Sequence, residues 1–373
     1  MSVCKKLFCF FFSSIIIIFF LTSSTPTNAI SVSAESAILI DAHSGKVLYQ
    51  KNANAVRPMA STTKIMTALV VIENFDLNSK VRIPPEATGI EGSSIYLCAG
   101  EVLTLRQLVY ALMLSSANDA ATAIAIYCCG SIEAFAALMN DKAQDLGLKS
   151  THFDNPHGLD STAHYTTASD LAQLTAYAIK IPEFKEIVST YKTEIPLEKN
   201  NTARLLVNHN KLLRSYDGAI GVKTGFTKKS GRCLVSAAER NGTVLIAVTL
   251  KAPDDWRDHT VMLDYGFENY VSKKLSPQLS IPVISGSASV VPCSFSSDLS
   301  VLLPKDHGDL VCRIEASRFE YAPISKGEVL GTAIYFCDGK EIARADIVAL
   351  ESVKLKKQRY TIWDRIINFL TNL

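Results

Sequence analysis

The sequence predicts an α/β (α+β) domain, then a small all-β domain, then a C-terminal amphipathic helix. Three observations carry this. Strand-like apolar runs at 37–50 and 219–250 enclose a helix-rich stretch, which is the pattern of a mixed domain. After Lys274 the chain changes to short β-rich runs cut by Pro, Gly and Asp-Gly turns. The last fourteen residues have one apolar face when laid on a helix. At 373 residues, 48% hydrophobic and 20% charged, the composition is globular, which excludes disorder, collagen and coiled coil for the whole chain. A formal charge of +2 gives no reason to expect a nucleic-acid partner.

Residues 1–34 read as an export signal. Lys5 and Lys6 precede the apolar stretch Leu7–Leu21, and Ala29 and Ala34 each end a cleavage-like small-x-small triplet. The alternative is an uncleaved anchor, but a bilayer span needs ~20 apolar residues. Cys4 and Cys9 leave with such a signal. Cys98, Cys128, Cys129, Cys233, Cys293, Cys312 and Cys337 remain, an odd set without disulfide or zinc spacing, expected to act as small buried hydrophobes.

The enzyme-like domain is expected over 35–274. Ala37–Asp41 and Val47–Gln50 flank His43-Ser44-Gly45-Lys46 as a β-hairpin, with Gly45 free to take a positive φ. Ser61–Glu73 is almost free of charge, as a helix buried on nearly all sides would be. Thr104 caps a helix to Leu114, and a second apolar helix runs from Asp119 to about Tyr127. Asp170 reads as the cap of a helix over Leu171–Lys180, and strands follow at Ala219–Val222, Cys233–Ala237 and Val244–Leu250. Within 275–351 the apolar runs Ile281–Ile284, Leu299–Leu303, Val311–Ile314, Thr332–Phe336 and Ile342–Leu350 are the strands of the second domain, with Asp338-Gly339 as a hairpin turn.

Three short motifs carry chemistry. In Ser61-Thr62-Thr63-Lys64, positions i and i+3 share a helix face, so the amine can reach the hydroxyl. A serine becomes a nucleophile when a neighbouring base takes its proton, and a desolvated lysine can be that base. Ser116-Ala117-Asn118 lies in a polar break between apolar helices, where a hydroxyl can relay a proton and an amide can bind a carbonyl. Lys223-Thr224-Gly225 ends a strand, with a cation and hydroxyl suited to a carboxylate and a glycine that permits close approach. Each is weak alone. Their order, 55 and then 107 residues apart, is the order found in β-lactamases and penicillin-binding proteins.

The likeness extends to longer segments: AILIDAHSGKVLYQKNA, RPMASTTKIMTALV, LMLSSANDAA, FDNPHGLDSTAHYTTASDLA, GAIGVKTGFTKKSGRCLVSAAERNG and LKAPDDWRDH. Over roughly 35–270 the chain resembles a low-molecular-mass penicillin-binding protein, a serine-type D-alanyl-D-alanine carboxypeptidase of peptidase family S11. Residues 275–351 are similar to that family's β-rich C-terminal domain. The resemblance implies a serine β-lactamase/transpeptidase-like fold and an acyl-enzyme on Ser61. It implies Lys64 as proton acceptor, Ser116 as proton relay, and Asn118, Lys223, Thr224, Gly225 and Phe226 as substrate-binding residues. The backbone N–H groups of Ser61 and Phe226 would form the oxyanion hole. Implied partners are peptidoglycan stem peptides ending in D-Ala-D-Ala and β-lactams as covalent inhibitors, with no metal or organic cofactor. Phe226 after the KTG triplet and His209, where some relatives have arginine, are departures that bear on affinity.

Alternatives stay open. A class A β-lactamase would carry a deacylating glutamate in E-x-x-L-N, a string absent here. A D,D-endopeptidase would use the same residues, and a catalytically idle peptidoglycan-binding or penicillin-sensing protein is the other alternative, although all motif residues are present. His157 and His164, in a Gly/Pro loop without a third ligand, are expected to be structural rather than metal-binding, and Glu198 solvated.

The tail, 352–373, carries the charge asymmetry: residues 353–373 net +4, from Lys354, Lys356, Lys357, Arg359 and Arg365 against Asp364. At ~100° per residue, Ile362, Trp363, Ile366, Ile367, Phe369, Leu370 and Leu373 fall on one side of a helix starting at Tyr360. Fourteen residues make ~21 Å, too short to span a bilayer. The expectation is an interfacial helix holding an exported protein on an anionic membrane surface, at the outer face of the cytoplasmic membrane.

Overall fold

The computed structural model describes residues 30–197, 202–276, 279–296, 299–357 and 370–371. The signal expected over 1–34 (apart from its last five residues), Glu198 and nearly all of the tail helix lie outside the described residues.

Strands β1 (Ser36–Asp41) and β2 (Val47–Lys51) form the hairpin, with Gly45 at φ 72°. A 3₁₀ turn (Ala60–Thr63) leads into α1 (Lys64–Asn74), every residue of which is buried from Lys64 to Val71. The short strands β3 (Lys80–Arg82) and β4 (Val102–Thr104) pair with each other. Helices α2 (Leu105–Leu114), α3 (Asn118–Cys129), α4 (Ile132–Asp145), α5 (Ala168–Ala178) and α6 (Pro182–Ser189) follow, then the hairpin β5 (Lys192–Leu197) and β6 (Thr202–Val207). Thr104 caps α2 in a reciprocal capping box with Gln107, which satisfies two otherwise orphaned N–H groups. The expected cap on α5 is corrected. Thr167 is the N-cap and accepts from Asp170 N–H, while the Asp170 carboxylate accepts from Ser150 N and Thr151 Oγ1 across the preceding loop.

A short helix α7 (Leu212–Ser215) precedes β7 (Ala219–Thr227), β8 (Gly231–Arg240), β9 (Thr243–Leu250) and α8 (Asp255–Asn269). The five-stranded sheet runs β2-β1-β9-β8-β7, antiparallel throughout. Both faces of β1 are buried, because the strand is covered twice. Ile38 and Ile40 join the core built with α1, α2, α3 and α5. Leu39 faces the other way onto α8, where Gly266 leaves no room for a Cβ against Leu245 and Leu39.

The second domain is all β. Strand β10 (Tyr270–Leu275) begins where α8 ends and pairs along its length with β13 (Leu299–Pro304). Strands β11 (Leu279–Ile284), β12 (Val290–Phe295), β14 (Leu310–Ala316), β15 (Glu320–Tyr321), β16 (Val329–Cys337) and β17 (Lys340–Ala349) form one sheet, ordered β14-β16-β17-β12-β11-β15. Asp338 and Gly339 both have positive φ in the β16–β17 hairpin turn. Backbone pairing continues past Leu350. Val353 exchanges hydrogen bonds with Ile324, and Lys356 N donates to Ser285 O, so the first residues of the expected basic tail belong to this domain. The seven described cysteines are unpaired. Cys233, Cys293 and Cys337 are buried as expected, but Cys98 and Cys312 are exposed, since each sits where its loop or edge strand faces solvent.

Candidate active site

Ser61 stands in the 3₁₀ turn, one turn before the body of α1. The turn is held by its own threonines: Thr62 Oγ1 donates to Met59 O at 2.6 Å and Thr63 Oγ1 to Ala60 O at 2.7 Å. Lys64, the first residue of α1, is fully buried, with Nζ 3.0 Å from Ser61 Oγ. Two further contacts complete its surroundings, Asn118 Oδ1 at 2.7 Å and the His157 carbonyl at 2.6 Å. Burial holds this amine well below the ordinary lysine range; the Lys223 charge pushes the same way, against a smaller pull from Asp119.

The break between α2 and α3 supplies the second group. Ser116 has φ 58° and is 4% exposed. Asn118 is the first residue of α3, and its Nδ2 donates to Glu91 O at 2.6 Å, which fixes the amide so that Oδ1 faces Lys64. Asp119, unassigned by the sequence analysis, is fully buried. Its carboxylate accepts from Ser94 Oγ at 2.6 Å and Leu97 N at 3.0 Å, tying the 93–97 loop over the site. An aspartate in an otherwise apolar helix was the available signal.

Strand β7 supplies the third. Lys223 is buried, with Nζ donating to the Thr224 carbonyl at 3.0 Å, and burial brings it down to about 7. A Cβ on Gly225 would lie 3.1 Å from Ser61 N, so the glycine lets β7 pass close beside the serine. Ser61, Ser116, Thr224, Gly225 and Phe226 line one cavity of about 310 Å³. Ser93, His209, Arg232, Asp255 and Trp256 complete it. Arg232 pairs with the buried Asp255 at 2.8 Å and lies 5.9 Å from the Trp256 ring. The structure thus brings all eight expected site residues together: Ser61, Lys64, Ser116, Asn118, Lys223, Thr224, Gly225 and Phe226.

His157 and His164 are both buried behind the nucleophile turn. Each accepts a backbone N–H on Nδ1, from Leu159 at 3.2 Å and from Asp154 at 3.0 Å. Burial pushes them down to about 3 and about 4.

Comparison with known proteins follows the same division of the chain. The D-alanyl-D-alanine carboxypeptidase family, Peptidase S11, matches residues 22–254, and the penicillin-binding protein 5 C-terminal domain matches 270–355. The chain is similar to the D-alanyl-D-alanine carboxypeptidase DacF of Bacillus subtilis, 35% identical over 88% of each chain. It is 33% identical to DacA of Escherichia coli K12, over 86% of this chain and 84% of that one. Among solved structures, penicillin-binding protein 5 of Haemophilus influenzae superposes with a TM-score of 0.73 at 29% identity, over 87% of this chain and 98% of that one. With the family matched over more than half its length and relatives a third identical along most of it, the chain belongs to peptidase family S11, the D-alanyl-D-alanine carboxypeptidases.

Proposed function

We propose that this protein removes the terminal D-alanine from peptidoglycan stem peptides through an acyl-enzyme on Ser61. One observation carries the reading. A neutral lysine has two N–H donors and one lone pair. Asn118 Oδ1 and the His157 carbonyl can only accept, so they take the two N–H bonds and leave the lone pair facing Ser61 Oγ at 3.0 Å. That amine is positioned and desolvated to act as a base.

Ser61 Oγ attacks the carbonyl between the two D-alanines as its proton passes to Lys64. The oxyanion lies against the N–H groups of Ser61 and Phe226, where one such donor contributes ~3–4 kcal/mol to the transition state. The C–N bond then breaks as the proton held by Lys64 passes through Ser116 to the departing amine, helped by the Lys223 charge; Lys64 is thereby neutral again. Asn118 orients the acyl part of the substrate. Lys223 and Thr224 hold the terminal carboxylate, with Gly225 keeping the strand close. Water, deprotonated by Lys64, hydrolyses the ester. A β-lactam offers an amide and a carboxylate to the same groups and stops at the acyl stage.

The same proposal places the protein outside the cytoplasmic membrane, exported by its N-terminal signal and held at the surface by its basic amphipathic tail. Among the described residues no single helix is long and apolar enough to cross a membrane. The catalytic reading is tested by labelling: fluorescent penicillin should attach within residues 57–64, and Ser61→Ala should abolish both labelling and D-alanine release. Label on another serine would overturn it.

A further inference from the structure

Ala60 and Ser61 share one peptide unit. Its C=O belongs to Ala60 and its N–H to Ser61, and in a trans peptide the two point in opposite directions. Whatever grips the carbonyl therefore aims the N–H. The Ala60 carbonyl accepts from Thr63 Oγ1 at 2.7 Å, and the same hydroxyl lies 2.6 Å from His164 Nε2. On the far side of the ring, Asp154 N–H reaches Nδ1 at 3.0 Å.

The hydrogens in this chain of contacts have only one arrangement. A backbone N–H can only donate, so Nδ1 is an acceptor and the neutral ring carries its proton on Nε2. Nε2–H then donates to Thr63 Oγ1, and the threonine proton goes to the Ala60 carbonyl. Ala60, Thr63 and His164 are 1%, 0% and 4% exposed, so water does not compete. Burial keeps the ring neutral near neutral pH. The Asp154 carboxylate opposes that effect without reversing it.

The peptide needs such a grip. Ala60 has φ 48°, a left-handed conformation that an alanine adopts only when its surroundings impose it. Ser61 N–H is also the group whose direction matters most in the reaction proposed above.

We propose that His164 is a positioning residue for acyl transfer, acting through Thr63 and the Ala60 carbonyl to aim the Ser61 N–H at the oxyanion. This rests on the reading of Ser61 as nucleophile. His164 does not line the active-site cavity, so its effect is on the transition state and not on substrate contact.

The test uses the full chain with His164→Phe, His164→Gln and Thr63→Val. Three quantities are read: the penicillin acylation rate, kcat and KM for D-alanine release, and affinity for a peptide boronic acid, whose adduct places an oxygen where the oxyanion forms. His164→Phe and Thr63→Val should lower acylation, kcat and boronate affinity roughly ten- to a hundred-fold, with KM within about twofold of wild type. His164→Gln keeps an N–H donor at the Nε2 position and should recover most of the loss. Wild-type acylation by either folded disrupting variant would overturn the proposal. So would a loss that only follows the melting temperature, or a loss that falls on KM alone. If His164→Phe does not fold, Thr63→Val decides by the same criteria. Activity surviving in Ser61→Ala would instead refute the nucleophile assignment, a separate result.

Discussion

A Cβ on Gly158 would lie 2.0 Å from the carbonyl oxygen of Ala60 and 2.9 Å from Thr63 Oγ1. Gly158 also has φ 90°, held by the turn in which Asn155 Oδ1 accepts from its N–H at 2.7 Å. The loop after α4 therefore presses bare backbone against the peptide that precedes the nucleophile. Gly158→Ala adds a left-handed alanine to a backbone collision and should destabilise the fold by ~3 kcal/mol or more. Urea unfolding measures this. Wild-type stability would mean that the loop does not pack so closely.

Two buried lysines with opposite duties should give kcat/KM a bell-shaped pH profile. Lys64 must be neutral to accept a proton, so the rate falls as pH drops through its lowered pKa. Lys223 must be charged to hold a carboxylate, so affinity falls as pH rises through about 7. A bound carboxylate favours the charged lysine and should move the alkaline limb upward in kcat. An ester substrate without a terminal carboxylate should lack that limb. An unchanged alkaline limb with such a substrate would remove Lys223 from carboxylate recognition.

The mature N-terminus should lie before Val32. Asp258 is fully buried, and its carboxylate accepts from Ser33 N at 2.7 Å, Ser33 Oγ at 2.8 Å and Ala34 N at 2.9 Å. A cut after Ala34 would remove all three donors and leave an uncompensated buried charge, a loss of roughly 3–5 kcal/mol. A cut after Ala29 keeps them. N-terminal sequencing of the protein recovered from the membrane should find Ile30, and Glu35 as the first residue would contradict the argument.

The membrane attachment proposed above should be separable from catalysis, provided the cut is made in the right place. Lys354 and Lys356 are exposed, but their backbones pair with Ser287 and Ser285. Deletion should therefore start at Gln358. The shortened protein should remain in the supernatant with anionic vesicles and release D-alanine at the wild-type rate. Vesicle binding equal to that of the full mature chain would show that the tail is not the anchor.

The parts legible in the sequence were those set by neighbouring residues. Gly45, the Thr104 cap and Asp338-Gly339 each fix a local backbone shape, and each stands where it was expected. The three motifs were legible because residue type and spacing carry their chemistry. Helix α8 was not: it opens with Asp255, Asp258 and His259, polar residues that show no apolar pattern in sequence. All three are buried, because Asp255 pairs with Arg232, Asp258 holds residues 33–34, and His259 bonds Ser236 and Thr249. The contact between Thr63 and His164 spans 101 residues and leaves no local pattern. Asp170 misled because a carboxylate at the third position of a helix resembles a cap in sequence.

The order in which the main sheet closes also has a kinetic consequence. Strand β1 is gripped between β2 and β9, and Ser36 pairs with Leu250. Ser33 is tied to Asp258, 225 residues away. Pairings this remote in sequence form slowly, and none can form until the distant partner has been synthesised. A nascent chain thus presents its first residues long before the sheet can trap them. For the export proposed above, that delay would keep the chain unfolded through a translocation channel, with its active site assembled only on the far side.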